Sequence, residues 1–326
     1  MQHLKCQGAH MEIILARPRG FCGGVIRAVN IVNEVLALQG PPVFVLHEIV
    51  HNRHVVKRLR DQGTLFIESV EEAAPGGIVI FSAHGVSDGV FERARERRLR
   101  VVDATCPLVK KVHFRARRYS RAGLELVIIG HKGHAEVEGT KGCVNGRVHV
   151  VGTVTEVEDL TVEDPGKLAY VTQTTLNIQN THLIIMALKK RFPSLMGAGL
   201  ADVCRATQNR QKAVHRLCRE IDILLVVGSR NSSNSNRLRE VGEQSGCLSF
   251  LIEDSGEIDP AWFRNRHRVG VTAGASAPEV LVQGVVERLE ALGDAQVREM
   301  AGGSEQTAAE MGASRRELDV QATLAV

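Results

Sequence analysis

The residues that could do chemistry in this chain are three cysteines, three histidines and a glutamate. Cys22, Cys106 and Cys204 each fall in a different third of the sequence, and each stands just before a helix-like stretch. Pro107, directly after Cys106, suits the first position of a helix, where its missing N–H is not needed. A thiol at a helix N-terminus feels the positive end of the helix dipole, which favours thiolate. Thiolates attack carbon or bind metal. With no CxxC anywhere, the spacing leaves nucleophile, zinc ligand and iron–sulfur ligand all open. If the three converge, a soft metal with one coordination position left for substrate is the natural occupant.

His51, His84 and His134 sit in polar loops at the ends of apolar runs, whereas His47, His113 and His215 read as surface residues of strands or helices. Glu136 and Glu138 lie in GHAEVEG. An extended loop there would point the two carboxyls to opposite sides, so one of them faces the site. A carboxyl group near a desolvated centre can hold its proton near neutrality and act as a general acid. The stretches SSNSN (Ser232–Asn236) and TAGASAP (Thr272–Pro278) each follow an apolar strand and precede a helix. Backbone N–H groups and Ser or Asn side chains at such ends form an anion cradle. Neither a Walker A order nor GxGxxG is present, so a phosphate ester other than a nucleotide fits better.

The elements that would position these groups alternate throughout. Runs such as VFVLH, IVIFS, RVVD, LVIIG, LAYVT, ILLVVG and VGVTAG read as strands, and the pattern repeats as apolar strand, polar loop and helix. That pattern predicts parallel α/β layers, with ligand sites beyond the carboxyl ends of the strands. The simplest arrangement is three similar parallel-sheet α/β units, each giving one cysteine to a shared centre. The expected divisions are an extension over 1–11, a first strand and cysteine loop over 12–23 that packs with the third unit, units over 24–106, 107–200 and 201–292, and a mobile tail over 293–326. A helix is expected over Gln211–Ile221, with ADVCRATQNRQ leading into it. Cys218 and Cys247 read as core, Cys143 as part of a glycine-rich turn, and Cys6 as part of the extension.

Composition narrows the class. The chain has 326 residues, a net charge of +4, 44% hydrophobic and only 4% aromatic residues, and seven cysteines. A mild charge with few stacking platforms argues against nucleic acid. No apolar run is long enough for a membrane span, and MQHLKCQGAH lacks the apolar core of a secretory signal, so a cytoplasmic protein is expected. The arginine-rich stretches Arg93–Arg100 and Arg115–Arg121 are solvated faces or a dock for an acidic partner.

The motifs PRGFCGGV, HEIVHNRHVV, SAHGVS, DATCPLV, GHAEVEGT, TQTTL, ATQNRQ, VGSRNSSNSNRL and GVTAGASAPEVLVQ together resemble the 4-hydroxy-3-methylbut-2-enyl diphosphate reductase family, across Glu12 to about Leu292. The resemblance implies a pseudo-threefold trefoil of α/β units around a central 4Fe–4S cluster. By motif, Cys22, Cys106 and Cys204 hold the cluster and the fourth iron is left open to substrate. It implies diphosphate contacts from His51, His84, His134, Ser232, Ser233, Asn234 and Ser276. Glu136 matches the proton-delivering acid, with Thr174 beside the substrate hydroxyl and Thr175 next to it. Reduced ferredoxin or flavodoxin is the implied electron donor. The sequence departs from the family pattern at Gly23, where Ala is expected, at Ile26 for Asp, and at Arg205 and Gln208 for Tyr and Thr.

Overall fold

In a computed structural model, which describes residues 11–301, strands and α-helices mostly alternate along the described chain. The elements run β1 (Met11–Leu15), α1 (Gly23–Gln39), β2 (Val43–Leu46), α2 (Arg53–Asp61), β3 (Thr64–Ile67), β4 (Ile78–Phe81), α3 (Asp88–Glu96) and β5 (Arg100–Asp103). They continue with α4 (Pro107–Arg121), β6 (Glu125–Ile129), α5 (Ala135–Lys141), β7 (Val148–Val151), α6 (Val154–Glu158), β8 (Leu168–Thr172) and α7 (Ile178–Arg191). Last come α8 (Arg205–Leu217), β9 (Ile223–Val227), α9 (Ser233–Gln244), β10 (Leu248–Ile252), β11 (Arg268–Ala273), α10 (Glu279–Glu290) and β12 (Ala295–Glu299). The exceptions to alternation are β3 and β4, α7 and α8, and β10 and β11, which follow one another directly.

The strands form three sheets of orders β10-β9-β11-β1-β12, β3-β2-β4-β5 and β7-β6-β8, and every pairing is parallel. Parallel strands covered by helices on both faces read as continuous apolar runs. Accordingly β2, β4, β8 and β9 are buried at every position. The described chain divides into two compact units. One comprises 11–22, 51–53 and 205–301, and contains the five-stranded sheet. The other comprises 23–50 and 54–204, and contains the four- and three-stranded sheets.

In the five-stranded sheet one face packs Ile13, Leu225, Val271 and Val282. The other packs Ile14, Val214, Leu224 and Leu238. Each fully buried aliphatic side chain contributes about 1.5–3 kcal/mol of transfer free energy. The first strand is a central member of this sheet, since β1 pairs with β11 through Glu12–Leu15 and with β12 through Met11–Leu15.

Outside the site, three expectations need correction. The stretch from Gly293 is not all tail, because Ala295–Glu299 forms the edge strand β12. Its side chains are largely exposed, so it carries no apolar signature. It is held by ladder bonds to β1 and by Arg298, which pairs with Glu12 and Glu220. The remaining tail, residues 302–326, and the extension with Cys6 lie outside the described residues. Helix α8 starts at Arg205, six residues before the expected Gln211, and ends at Leu217. Its first two turns look like a loop because they are polar, yet Thr207, Arg210 and Gln211 are buried, and Thr207 and Arg210 use polar partners where an ordinary helix uses apolar ones. His113 is not a surface residue. It is 5% exposed, with Nδ1 3.3 Å from the Cys143 sulfur, and burial lowers its pKa to about 4.

Candidate active site

The strand orders locate the site before any side chain is considered. In each sheet the chain winds outward one way and then the other, and ligands bind where that direction switches. The switches fall between β2 and β4, between β6 and β8, and between β9 and β11. The loops following these six strands, with the first turns of the helices they lead into, carry His51 and His84, then His134 with Glu136 and Thr174 with Thr175, then Ser232–Asn234 and Ser276. Every proposed diphosphate or proton contact is therefore at a switch.

The cysteines obey a second rule that repeats three times. Each follows the strand lying beyond the later switch strand: β1 beside β11, β5 beside β4, and the Met196 segment that bridges Ala169 of β8. Each then donates its backbone N–H to the loop after that switch strand, Cys22 to Ala275 O (3.1 Å), Cys106 to Ala83 O (3.0 Å) and Cys204 to Thr174 O (3.0 Å). The acceptors adjoin Ser276 and His84 or, for Cys204, are Thr174 itself. Each cysteine immediately precedes a long helix: α1, α4 and α8 respectively. Cys106 is the N-cap of α4, with Pro107 at the first helical position. All three are unbridged, half-buried thiols. Cys22 belongs to the first unit, Cys106 and Cys204 to the second. Among the described residues, no three His, Cys, Asp or Glu side chains gather as they would around a single metal ion.

In the second unit Thr174 is the hub. Its N–H donates to Glu136 Oε1 at 2.6 Å, its hydroxyl donates to Oε2 at 3.0 Å, and its carbonyl receives the Cys204 amide. Glu136 is 3% exposed. Burial pushes its pKa up to about 7, and the two hydrogen bonds from Thr174, which favour the charged form, do not cancel that cost. GHAEVEG is not an extended loop, because Glu136 and Glu138 both lie in α5. Two residues apart on a helix still point to roughly opposite sides at about 100° per residue, so Glu136 is buried while Glu138 is exposed. His134 caps α5. Its Nδ1 accepts the Glu136 N–H at 3.1 Å, so the neutral ring carries its proton on Nε2. The His84 ring meets the His134 ring edge-on, with centroids 5.9 Å apart. Thr175 is half-buried and its hydroxyl accepts from Gln173 Nε2 at 3.0 Å.

In the first unit the groups are neutral donors. Ser232 caps α9, and its Oγ lies 3.4 Å from Ser276 Oγ, which in turn donates to His51 O at 2.9 Å. Asn234 is 4% exposed. Its Oδ1 accepts from Thr207 at 3.4 Å, which leaves the buried Nδ2 without a protein partner. An orphaned buried donor costs about 1–3 kcal/mol unless something accepts from it, and here it sits among the residues expected to hold an anion. Ser233 is half-buried at the first position of α9. Gly228 and Gly274 end β9 and β11 against Ser235, whose Oγ would lie 2.2 and 2.0 Å from a Cβ at those positions. Only glycine lets α9 seat its N-terminus on both strand ends.

Residues without an assigned role in the sequence reading turn out to support the site. Arg210 is fully buried and donates through Nε and Nη2 to Gly20 O, at 3.2 and 2.7 Å, which fixes the loop bearing Cys22. Asp202, 1% exposed and two residues before Cys204, pairs with Arg115 of α4. His113 packs beneath Gly85, where a Cβ would come within 2.8 Å of its ring. Arg210 lies in the quoted motif ATQNRQ, but a buried arginine has no local sequence signal.

A model of the family described as LytB protein matches residues 13–290, from β1 through α10. A 4-hydroxy-3-methylbut-2-enyl diphosphate reductase of Bordetella parapertussis is 54% identical over 308 residues, 94% of each chain. The solved structure of the E-1-hydroxy-2-methyl-but-2-enyl-4-diphosphate reductase from Plasmodium falciparum superposes with a TM-score of 0.86 at 36% identity, covering 90% of this chain and 94% of that one. A second solved structure, of (E)-4-hydroxy-3-methyl-but-2-enyl diphosphate reductase, the terminal enzyme of the non-mevalonate pathway, gives 0.61 at 34% identity, covering 86% and 99%. Family match, identity over nearly the full length and shared fold agree: this chain belongs to the LytB protein family.

Proposed function

We propose that this protein reductively dehydroxylates (E)-4-hydroxy-3-methylbut-2-enyl diphosphate to isopentenyl and dimethylallyl diphosphate in the cytoplasm. The observation that carries the reading is the buried Glu136–Thr174 pair, a carboxyl group tuned near neutrality. The donor set fits a 4Fe–4S cluster held by Cys22, Cys106 and Cys204, one from each α/β unit (12–23 with 201–292, 24–106, 107–200). The ligands are all thiols, each directly before a long helix, and each would bond its own iron, so they need not meet at one point. When bound, such a cluster supplies electrons one at a time and an open iron as Lewis acid for the allylic oxygen.

The protein's own residues do the rest. Ser232, Ser233, Asn234 and Ser276, with His51, His84 and His134, bind and orient the diphosphate. The Nδ2 of Asn234 and the Nε2–H of His134 are donors matched to its oxygens. Thr174 relays between Glu136 and the substrate hydroxyl. With Oε2 protonated, the carboxyl donates to Thr174 Oγ, whose own hydrogen turns to the leaving oxygen. Two electrons and two protons enter, the C–O bond breaks, water leaves, and the allyl fragment gains hydrogen at one end or the other. Reduced ferredoxin or flavodoxin supplies the electrons.

Anaerobic purification followed by reaction of the reduced protein with the allylic diphosphate tests this. Brown protein containing iron and sulfide, and both C5 diphosphates by mass spectrometry, are expected. A colourless zinc protein, or a cluster-loaded protein that leaves the substrate intact, would end the reading.

A further inference from the structure

We infer that the outer face of α4 is the docking surface for an acidic one-electron carrier protein. The inference rests on the reductase reading above, since that reaction consumes two electrons per turnover which no residue of the chain provides.

Helix α4 has two basic faces with different fates. On the inner side Arg115 pairs with the buried Asp202, and Arg117 pairs with Asp88. These arginines are structural, and Arg117 is not part of a free surface. On the outer side Lys111, Phe114, Arg118 and Arg121 are exposed. At about 100° per residue, Lys111, Arg118 and Arg121 fall within about 60° of Phe114 on the helix wheel, with Pro107 and Lys110 inside the same arc. Lys110 is ion-paired with Asp103, whereas Lys111, Arg118 and Arg121 have no acidic partner among the described residues. The helix contains no acidic residue.

Phe114 sits in the middle of this stripe at 67% exposure, and among the described residues no other Phe, Tyr or Trp is exposed to that extent. An aromatic ring ringed by charges of one sign is the composition of an interface centre with a steering rim. Charge complementarity therefore selects an acidic protein. The location suits electron delivery, because α4 begins directly after Cys106 and Phe114 lies about 12 Å further along its axis at ~1.5 Å per residue. Each docking brings one electron, and two oxidised carriers leave per substrate reduced.

The test uses cluster-loaded enzyme, a purified acidic ferredoxin, and the variants Lys111→Glu/Arg118→Glu/Arg121→Glu and Phe114→Ala. Calorimetric Kd for oxidised ferredoxin is measured across a salt series, alongside turnover driven by reduced ferredoxin and by dithionite-reduced methyl viologen. The charge-reversed variant should weaken ferredoxin binding by at least about tenfold and flatten its salt dependence. Phe114→Ala should weaken binding about tenfold without changing the salt slope. Viologen-driven turnover should stay within about twofold in both. Unchanged Kd in both variants, or a parallel fall with viologen, would overturn the dock. Wild-type enzyme inactive with viologen would remove the reductase reading instead, and the binding arm would still decide whether the surface takes an acidic carrier.

Discussion

The switch between β6 and β8 and the switch between β9 and β11 occupy the same place in their sheets but have opposite chemistry. At the first, a carboxylate oxygen pair is clamped by one threonine and desolvated until it keeps a proton near neutral pH. At the second, serine hydroxyls and an asparagine amide offer neutral donors, one of them buried and unsatisfied. The difference teaches that topology supplies a location, while side-chain burial decides whether it moves protons or binds charge. A neutral cradle can take an anion without competing for protons. A buried acid delivers protons because its charged form is disfavoured.

Substitutions can break this division of labour. Glu136→Gln keeps the shape and loses the proton, so kcat should fall by about 10²–10⁴ while KM and cluster content hold. A variant with unimpaired kcat would remove Glu136 from the acid's role. On the other side, Asn234→Ala should raise KM about 5- to 150-fold, from about 1–3 kcal/mol of lost hydrogen bonding, with kcat much less affected. Steady-state kinetics with viologen as donor separates the two, and a kcat-only effect at Asn234 would erase the contrast.

The pH profile sharpens it. The acid must be protonated to act, so kcat should decline as pH rises through about 7. Thr174→Val removes the relay hydroxyl, so kcat should fall, and it also removes one donor to the carboxylate, which further disfavours the charged form and should move the limb of the residual turnover to higher pH. Movement to lower pH would contradict the hydrogen-bond assignment.

The smallest effect is on stability. Between the ordinary carboxyl value of 4.5 and about 7 the folded protein holds a proton that the unfolded chain has released. Stability contributed by this group is thus full below the lower value and is lost as pH rises through the window, by at most about 3 kcal/mol. Urea unfolding at several pH values should show a shallower decline across that window in Glu136→Gln.

Much of this site could be read along the chain. Cys106 with Pro107, the caps Ser232 and His134, and the runs VFVL, IVIF and ILLVV declare themselves within a few residues, because capping and two-faced burial are local rules. Helix α8 escaped because buried Thr207 and Arg210 satisfy their polar groups through distant partners, which a propensity reading treats as solvent-facing. Strand β12 escaped for the converse reason, since its backbone pairs while its side chains stay exposed.

By itself the sequence determined that strands alternate with helices and which residue types stand at the strand ends, since both depend on short-range patterning. Only the tertiary structure decided which strands flank each switch, that Thr174 grips both Glu136 and the Cys204 loop, and that Arg115 and Arg117 turn inward while Arg118 faces solvent. Those outcomes depend on pairing between residues far apart in the chain and on how much water each side chain loses when they meet.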